Sequence, residues 1–368
     1  MTDAQPPEEI LVNDRALNKL IRAITLSQGN FSLILARCNY VGLRDQVVQQ
    51  LKAQCPIALR ELYLPASTKT LYTTIQSELG REQPQALMIF GLESVATVDQ
   101  LLTSTNQVRE EFRKHLSYPV VLWINDDILK KLVKLAPDFK SWAATSIKFE
   151  ISNFELVQAI KQTADATVTA ILEAGSGRFF IDVSASFKGF SNAQELEFAL
   201  QDMYANSQVN SPRLTANLNF LLGLAADSKS SKPDSRKFYE QSLEFWHKQL
   251  RANNVSFNDY LHYGCLLFYL GVWWRQYATQ NRAEYSSACC QAKKYYQECL
   301  EVFQQINRSD LSAKFINALG EVLLRLEQWD DLRTVAQNAV DIHQVYSEPV
   351  RLAFGYALLA ELALQQSD

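Results

Sequence analysis

The rhythm of apolar residues changes near residue 152. Before that point, short apolar runs alternate with amphipathic helical stripes. Phe31-Ser-Leu-Ile-Leu-Ala36 is a brief apolar run that reads as a buried strand. Ala86–Phe90 and Pro119–Ile124 are almost wholly apolar, as central strands covered on both faces should be. Leu59–Leu64 and Ser146–Ile151 complete a set of five strands. Leu17, Leu20, Ile21 and Ile24 repeat at i, i+3, i+4 and i+7, which predicts a helix over Asp14–Gln28 capped by Asn13 or Asp14. Further helices are expected over Leu43–Gln54, Thr70–Gly80, Val98–Leu116 and Asp127–Leu135. Strands separated by helices imply a parallel sheet with helices on both faces, its ligand crevice at the carboxyl ends of the strands. Arg37–Asn39, Gly91–Glu93 and Asn125–Asp127 would converge there.

Beyond Ser152 the period is 3.6. Phe154–Glu173 and Ala193–Asn206 read as long helices of a connector, and Asn206–Pro212 as a polar break. After Pro212 a repeat can be registered against the 34-residue helical-hairpin pattern of small and aromatic positions. Leu222-Gly223 is followed by Ser235, Tyr239 and Ser242; Leu270-Gly271 by Ala292, Tyr296 and Cys299; Leu319-Gly320 by Trp329, Leu332, Ala336 and Ala339. Phe354-Gly355 begins a fourth unit, so Val350–Gln365 is either a single capping helix or the start of a longer array. The wide spacing of the first glycines implies long loops at Ala226–Asp234 and Ala278–Ser287. The expected organisation is an α/β domain over 1–152, a helical connector over 153–211 and helical hairpins over 212–368.

Composition narrows the function. A net charge of -4 gives no basic footprint for nucleic acid. The longest apolar runs, such as Leu266–Trp274, fall well short of the ~20 residues that span a bilayer. The acidic start of the chain lacks the apolar core of a secretion signal. The six cysteines form no Cys-x-x-Cys pair and show no metal-ligand spacing with the four histidines, which suits reduced thiols and a cytoplasmic protein.

The order of elements in residues 10–152 resembles the NTPase domain of STAND-type, AAA-related signalling ATPases, particularly bacterial ones fused to TPR repeats. Phe31–Ala36 and the turn after it stand where Walker A would be. Met88-Ile-Phe-Gly-Leu-Glu93 stands at Walker B, and Leu122-Trp-Ile-Asn125 is similar to the sensor-1 strand. Ala136–Trp142 with Lys148–Ile151 looks like the segment that closes such domains. The resemblance implies a P-loop-like fold and makes Glu93 the catalytic acid of any hydrolysis. The chain departs from the family where the chemistry lies. Arg37-Cys-Asn-Tyr-Val-Gly42 has one glycine, no lysine and no Ser/Thr, so the backbone cradle, the ammonium and the Mg²⁺ hydroxyl are missing. Gly91 stands where the metal-ordering Asp is usual.

These features predict no catalytic residue and no cofactor. The expected function is a protein-binding scaffold whose partner docks on the helical repeats, with no nucleic acid and no membrane involved. The alternative is a switch ATPase with an atypical ATP/Mg²⁺ site. Arg37, Asn39, Arg44 and Asn125 are the candidates for holding a nucleotide or another anion; the simpler reading of the two arginines is pairing with acids such as Asp45. Asp126-Asp127 either order a cation or simply open a helix. Gly175-Ser-Gly-Arg178 follows a helical stretch and reads as a C-cap and turn. Asn217, Tyr260 and Asn317 are the candidates for contacting a protein partner, on the face turned away from the hairpin core. The aromatic run Tyr260–Trp274 is expected to be mostly core.

Overall fold

The computed structural model describes residues 7–176, 189–205, 211–228, 232–252, 255–346 and 349–365. Gly177 and Arg178 of the Gly-Ser-Gly-Arg run, the break at Asn206–Asn210 and the middle of the 226–234 connection lie outside them. The chain divides into two compact units, Met1–Leu156 and Val157–Asp368.

The first unit alternates as the pattern requires: α1 (Pro7–Leu26), β1 (Ser32–Cys38), α2 (Val41–Gln54), β2 (Leu59–Tyr63), α3 (Leu71–Leu79), β3 (Ala86–Phe90), α4 (Val98–Gln107), α5 (Arg109–His115), β4 (Pro119–Ile124), α6 (Asp126–Leu135), α7 (Pro137–Ser141) and β5 (Ile147–Phe149). The five strands form one sheet in the order β2-β3-β4-β1-β5, with every pair parallel. Alternate residues of each strand feed two separate cores. Ile34, Ala36, Met88, Phe90, Val121 and Trp123 pack with α1 and α2 on one face. Leu33, Leu35, Leu87, Ile89, Val120 and Leu122 pack with α3 to α7 on the other. This division follows from right-handed crossovers. The chain leaves β1 towards β2 and leaves β4 in the opposite direction, towards β5, so the two connections fall on opposite faces.

One expected helix is two. The stretch Val98–Leu116 breaks at Val108, where ψ is 17°. Just before the break, the Asn106 side chain is drawn off by the backbone N–H of Phe139, which it accepts at 3.0 Å. Just after it, Phe112 is fully buried between Tyr72 and Phe139, with ring centroids 5.2 and 5.0 Å away.

The second unit is helical throughout its described residues: α8 (Asn153–Ala174), α9 (Ala193–Ala205), α10 (Pro212–Ser228), α11 (Lys232–Arg251), α12 (Phe257–Gln280), α13 (Tyr285–Gln305), α14 (Ser309–Arg325), α15 (Trp329–Val345) and α16 (Pro349–Gln365). Successive helices from α9 onward pack on one another, and α16 also packs on α14. Gly175, at φ 61°, ends α8 as a left-handed C-cap. The turns after α13 and α14 have the same form. Asn307 and Glu327, both at φ 56°, sit at their centres, and the next N–H reaches back to Phe303 O at 2.9 Å and to Leu323 O at 3.1 Å.

Most of the small and aromatic positions of the repeat are buried in this packing, Trp329 being half-buried. Ser235, Tyr239, Ser242, Ala292, Leu332, Ala336 and Ala339 are all completely buried. A Cβ on Gly223 would lie 2.3 Å from the Tyr239 ring, and one on Gly271 would lie 2.5 Å from the Tyr296 ring. Gly264, which the repeat pattern does not mark, faces Phe303 in the same way. Gly264 and Gly271 ascend α12 by two turns while Phe303 and Tyr296 descend α13 by two turns, so the pair is antiparallel. Two expectations are corrected. The extra residues between units extend the helices instead of forming long loops: α12 runs to Gln280, a 3₁₀ turn at Arg282–Glu284 follows, and α13 starts at Tyr285. Gly320 is not closed by its own hairpin; the nearest atoms to a Cβ there belong to Leu358 of α16. With alanine at 336, α15 offers no large ring to fill that space.

The aromatic run of α12 is mostly core: Tyr263, Phe268 and Trp273 are buried, and Tyr260, Tyr269 and Trp274 are half-buried.

Candidate functional site

The crevice of a parallel sheet lies where neighbouring strands send their connections to opposite faces. Here that point is the carboxyl edge between β1 and β4, and it gathers Arg37, Asn39, Asn125 and Asp126.

The decisive element is the turn after β1. The strand continues through Cys38 and α2 begins at Val41, so only Asn39 and Tyr40 connect them. The six-residue turn Arg37–Gly42 read from the sequence is therefore shorter in fact: Arg37 and Cys38 belong to the strand, and Gly42 lies in the first turn of α2. Tyr40 is buried, its carbonyl accepts the Cys38 thiol at 3.3 Å, and it also accepts the Arg44 N–H at 2.9 Å. A phosphate cradle needs a run of successive backbone N–H groups curled around the anion. Two residues held this way leave no such run.

The candidate anion ligands are engaged by the protein itself. Arg37 meets Asp126 in a two-point pair: Nη2 donates to Oδ2 at 3.0 Å and Nε to Oδ1. Asn39 Oδ1 accepts the backbone N–H of Asp126 at 3.0 Å. Asn125 is the N-cap of α6, its Oδ1 accepting from Ile128 N at 2.9 Å. Both asparagines thus satisfy free N–H groups at the start of α6, and Asp126 opens that helix with a guanidinium partner.

Arg44 is engaged in the same manner. It pairs with Glu93 at 3.1 Å and with Asp45 at 3.2 Å, and its guanidinium lies 5.5 Å from the centre of the Phe90 ring. Tyr63 stacks beside Phe90, with ring centroids 4.7 Å apart. The expected pairing with Asp45 is present, but Glu93 is the more buried partner. Oε2 of Glu93 is buried and has no hydrogen-bond partner among the described residues.

Gly91 has a conformational reason of its own. It sits at φ 87°, and a Cβ there would lie 3.1 Å from the Leu64 carbonyl oxygen. Only glycine takes this backbone shape without strain. Gly91→Ala is expected to lower stability by about 1–2 kcal/mol, read as a lower urea midpoint; an unchanged midpoint would contradict this account of the turn.

Two of the three candidate partner-binding residues are placed differently from expectation. Asn217 and Asn317 are buried within the helical packing, and Asn317 Nδ2 donates to Arg351 O at 3.3 Å. A polar residue on an apolar helix suggests a groove-facing position, whereas these two are buried in the helical packing. Tyr260 is half-buried on α12. Sequence reasoning missed Asp126 as the partner of Arg37, because the two stand 89 positions apart and only the strand order joins them.

Among the described residues, no group of three or more His, Cys, Asp or Glu side chains is placed to hold a metal ion. No helix among them is long and apolar enough to cross a membrane. No protein-family model matches this chain, and no curated protein matches it.

Proposed function

We propose that this chain is a cytoplasmic protein-interaction scaffold or sensor, built from a catalytically degenerate STAND-like domain and a TPR-like helical array. The observation that carries the reading is the two-residue turn Asn39-Tyr40, at the place where a P-loop would wrap a phosphate. The arginine pairs support it: Arg37 is held at two points by Asp126 and Arg44 is shared between Glu93 and Asp45, so the donors that an incoming phosphate would need are occupied. All six cysteines are free thiols, which suits a reducing compartment.

The helical unit supplies the protein-binding side. On α16, Val350, Ala353, Ala357, Ala360 and Leu364 are exposed at the spacing of a helix–helix seam, with Val350 83% and Leu364 65% exposed. A contiguous apolar stripe of this kind suits an amphipathic helix of a partner protein. The unpartnered oxygen of Glu93 is the one feature that favours the alternative, a switch ATPase with an atypical nucleotide site.

A thermal-shift measurement on the full chain separates the two readings. A nucleotide at 100 times its dissociation constant would stabilise the fold by about 2.7 kcal/mol. The expected result is no Mg²⁺-dependent shift with ATP or GTP. A Mg²⁺-dependent rise in Tm that disappears in Arg44→Ala would overturn the scaffold reading.

A further inference from the structure

A second concave site lies wholly within the helical unit. The first turn of α10, the last turns of α11 and the first turn of α12 border an open cleft of ≈ 350 Å³. This is at the small end of the ~300–1,000 Å³ range of ligand pockets. Its walls are of three kinds. Phe245 and Trp246 form an aromatic side, with rings edge to face at 5.0 Å. Trp246 is 2% exposed and is backed by His262, with ring centroids 6.3 Å apart, so this wall is rigid. Gln249, Ser211 and Ser256 add neutral polar groups. Arg213 and Asp259 supply one opposed pair of charges.

The two charged residues are unequally committed. Asp259 is 4% exposed, and its contacts account for its position. Its Oδ2 accepts from Ser256 N at 2.7 Å and Ser256 Oγ at 2.9 Å, closing the capping box of α12, and its Oδ1 pairs with Arg213. Arg213 has a side chain 49% exposed, and among the described residues nothing but Asp259 pairs with its guanidinium. A guanidinium carries five N–H donors in a rigid fork. Asp259 therefore holds one end of the Arg213 fork, and among the described residues the other donors of this half-exposed side chain have no charged partner.

We propose that this cleft binds a carboxylate attached to a compact apolar or aromatic group, with Arg213 receiving the carboxylate and Phe245, packed on the buried Trp246, receiving the apolar part. Asp259 is a positioning residue that sets the direction of the fork. The same chemistry is offered by a free small organic acid and by the terminal residue of a peptide. The proposal goes beyond the scaffold reading and does not depend on the state of the α/β unit.

The test uses the full chain and four probes in calorimetric titration: 3-phenylpropionate, its amide, and a pentapeptide ending in phenylalanine with a free or an amidated C-terminus. At least one free carboxylate should bind, and its amide should bind about tenfold more weakly or not at all, the loss expected for a charge-assisted hydrogen bond. Arg213→Gln should abolish the preference for acid over amide in titrations run well below its Tm; the Gln amide can still donate to Asp259, but Tm should fall because a buried carboxylate loses its charge partner. Phe245→Ala is a second variant on the half-buried wall and should weaken acid and amide alike. Binding of both acids supports the shared chemistry, and binding of one alone supports it and identifies the source. Failure of both acids to bind, equal binding of acid and amide, or an unaltered preference in Arg213→Gln would overturn it.

Discussion

Gly271→Leu is expected to destabilise the helical unit by about 1–3 kcal/mol through overpacking. A Cβ at this position would lie 2.5 and 2.6 Å from two atoms of the Tyr296 ring. That ring is 2% exposed and packs on Phe268, with centroids 5.7 Å apart, so it has little room to retreat. Even Gly271→Ala should lose stability, although alanine in a helix interior normally gains ~0.5–1 kcal/mol over glycine. The sign of the change therefore separates a packing glycine from an incidental one. Gly320 provides the comparison. Its obstruction is a single terminal methyl, Leu358 Cδ1, and the next atom lies at 3.7 Å. Gly320→Ala should cost less than Gly271→Ala. In the double variant Gly271→Ala with Tyr296→Leu, part of the loss should be recovered, because the ring that blocks the new Cβ is gone. Equilibrium unfolding in urea measures all of these. A wild-type midpoint for Gly271→Leu would mean that α12 and α13 do not approach as described.

Trp123→Ala should have the largest effect on the α/β unit, about 3–5 kcal/mol. Trp123 is 1% exposed on the central strand β4 and lies between Phe90 of β3 and Phe149 of β5, with ring centroids 6.0 and 5.5 Å away. It therefore joins strands from across the sheet on the face covered by α1 and α2. Removing it leaves a large cavity bounded by rigid rings. Trp123→Phe should cost much less. It keeps most of the stacking area and removes a buried indole N–H that has no partner among the described residues, a hydrogen bond that is expensive to leave unmade. Calorimetry on the two variants checks the order. Equal losses for alanine and phenylalanine would show that ring packing does not hold this face together.

What could be read from the sequence was whatever depends on near neighbours. The apolar runs of β1, β3 and β4 and the stripe of α1 announce themselves because burial on two faces or one leaves a period in the chain. The small positions of the helical unit were legible for the same reason, since a close helix crossing permits no larger side chain at Ala292 or Ala339. The misreadings share a different cause. The spacing of glycines says how many residues separate two crossings, but not whether the extra ones lengthen a helix or a loop; α12 and α13 lengthened. An asparagine within an apolar helix looks the same whether it faces a groove or another helix, and Asn317 faces Arg351 of α16. Gly42 suggested a loop, yet it lies inside α2, where the burial of Tyr40 sets the start. The pairing of Arg37 with Asp126 depends on β1 inserting beside β4, which no local pattern encodes. The cleft around Arg213 was likewise invisible, because three helix ends build it.

The two-residue turn after β1 bears on any attempt to give this chain a nucleotide site by redesign. Exchanging side chains at Asn39 and Tyr40 for lysine and serine would install the familiar functional groups but none of the main-chain amides that do most of the anion binding. The change that matters is one of length: several residues would have to be inserted between Cys38 and Val41, and Arg37 and Arg44 released from their carboxylates.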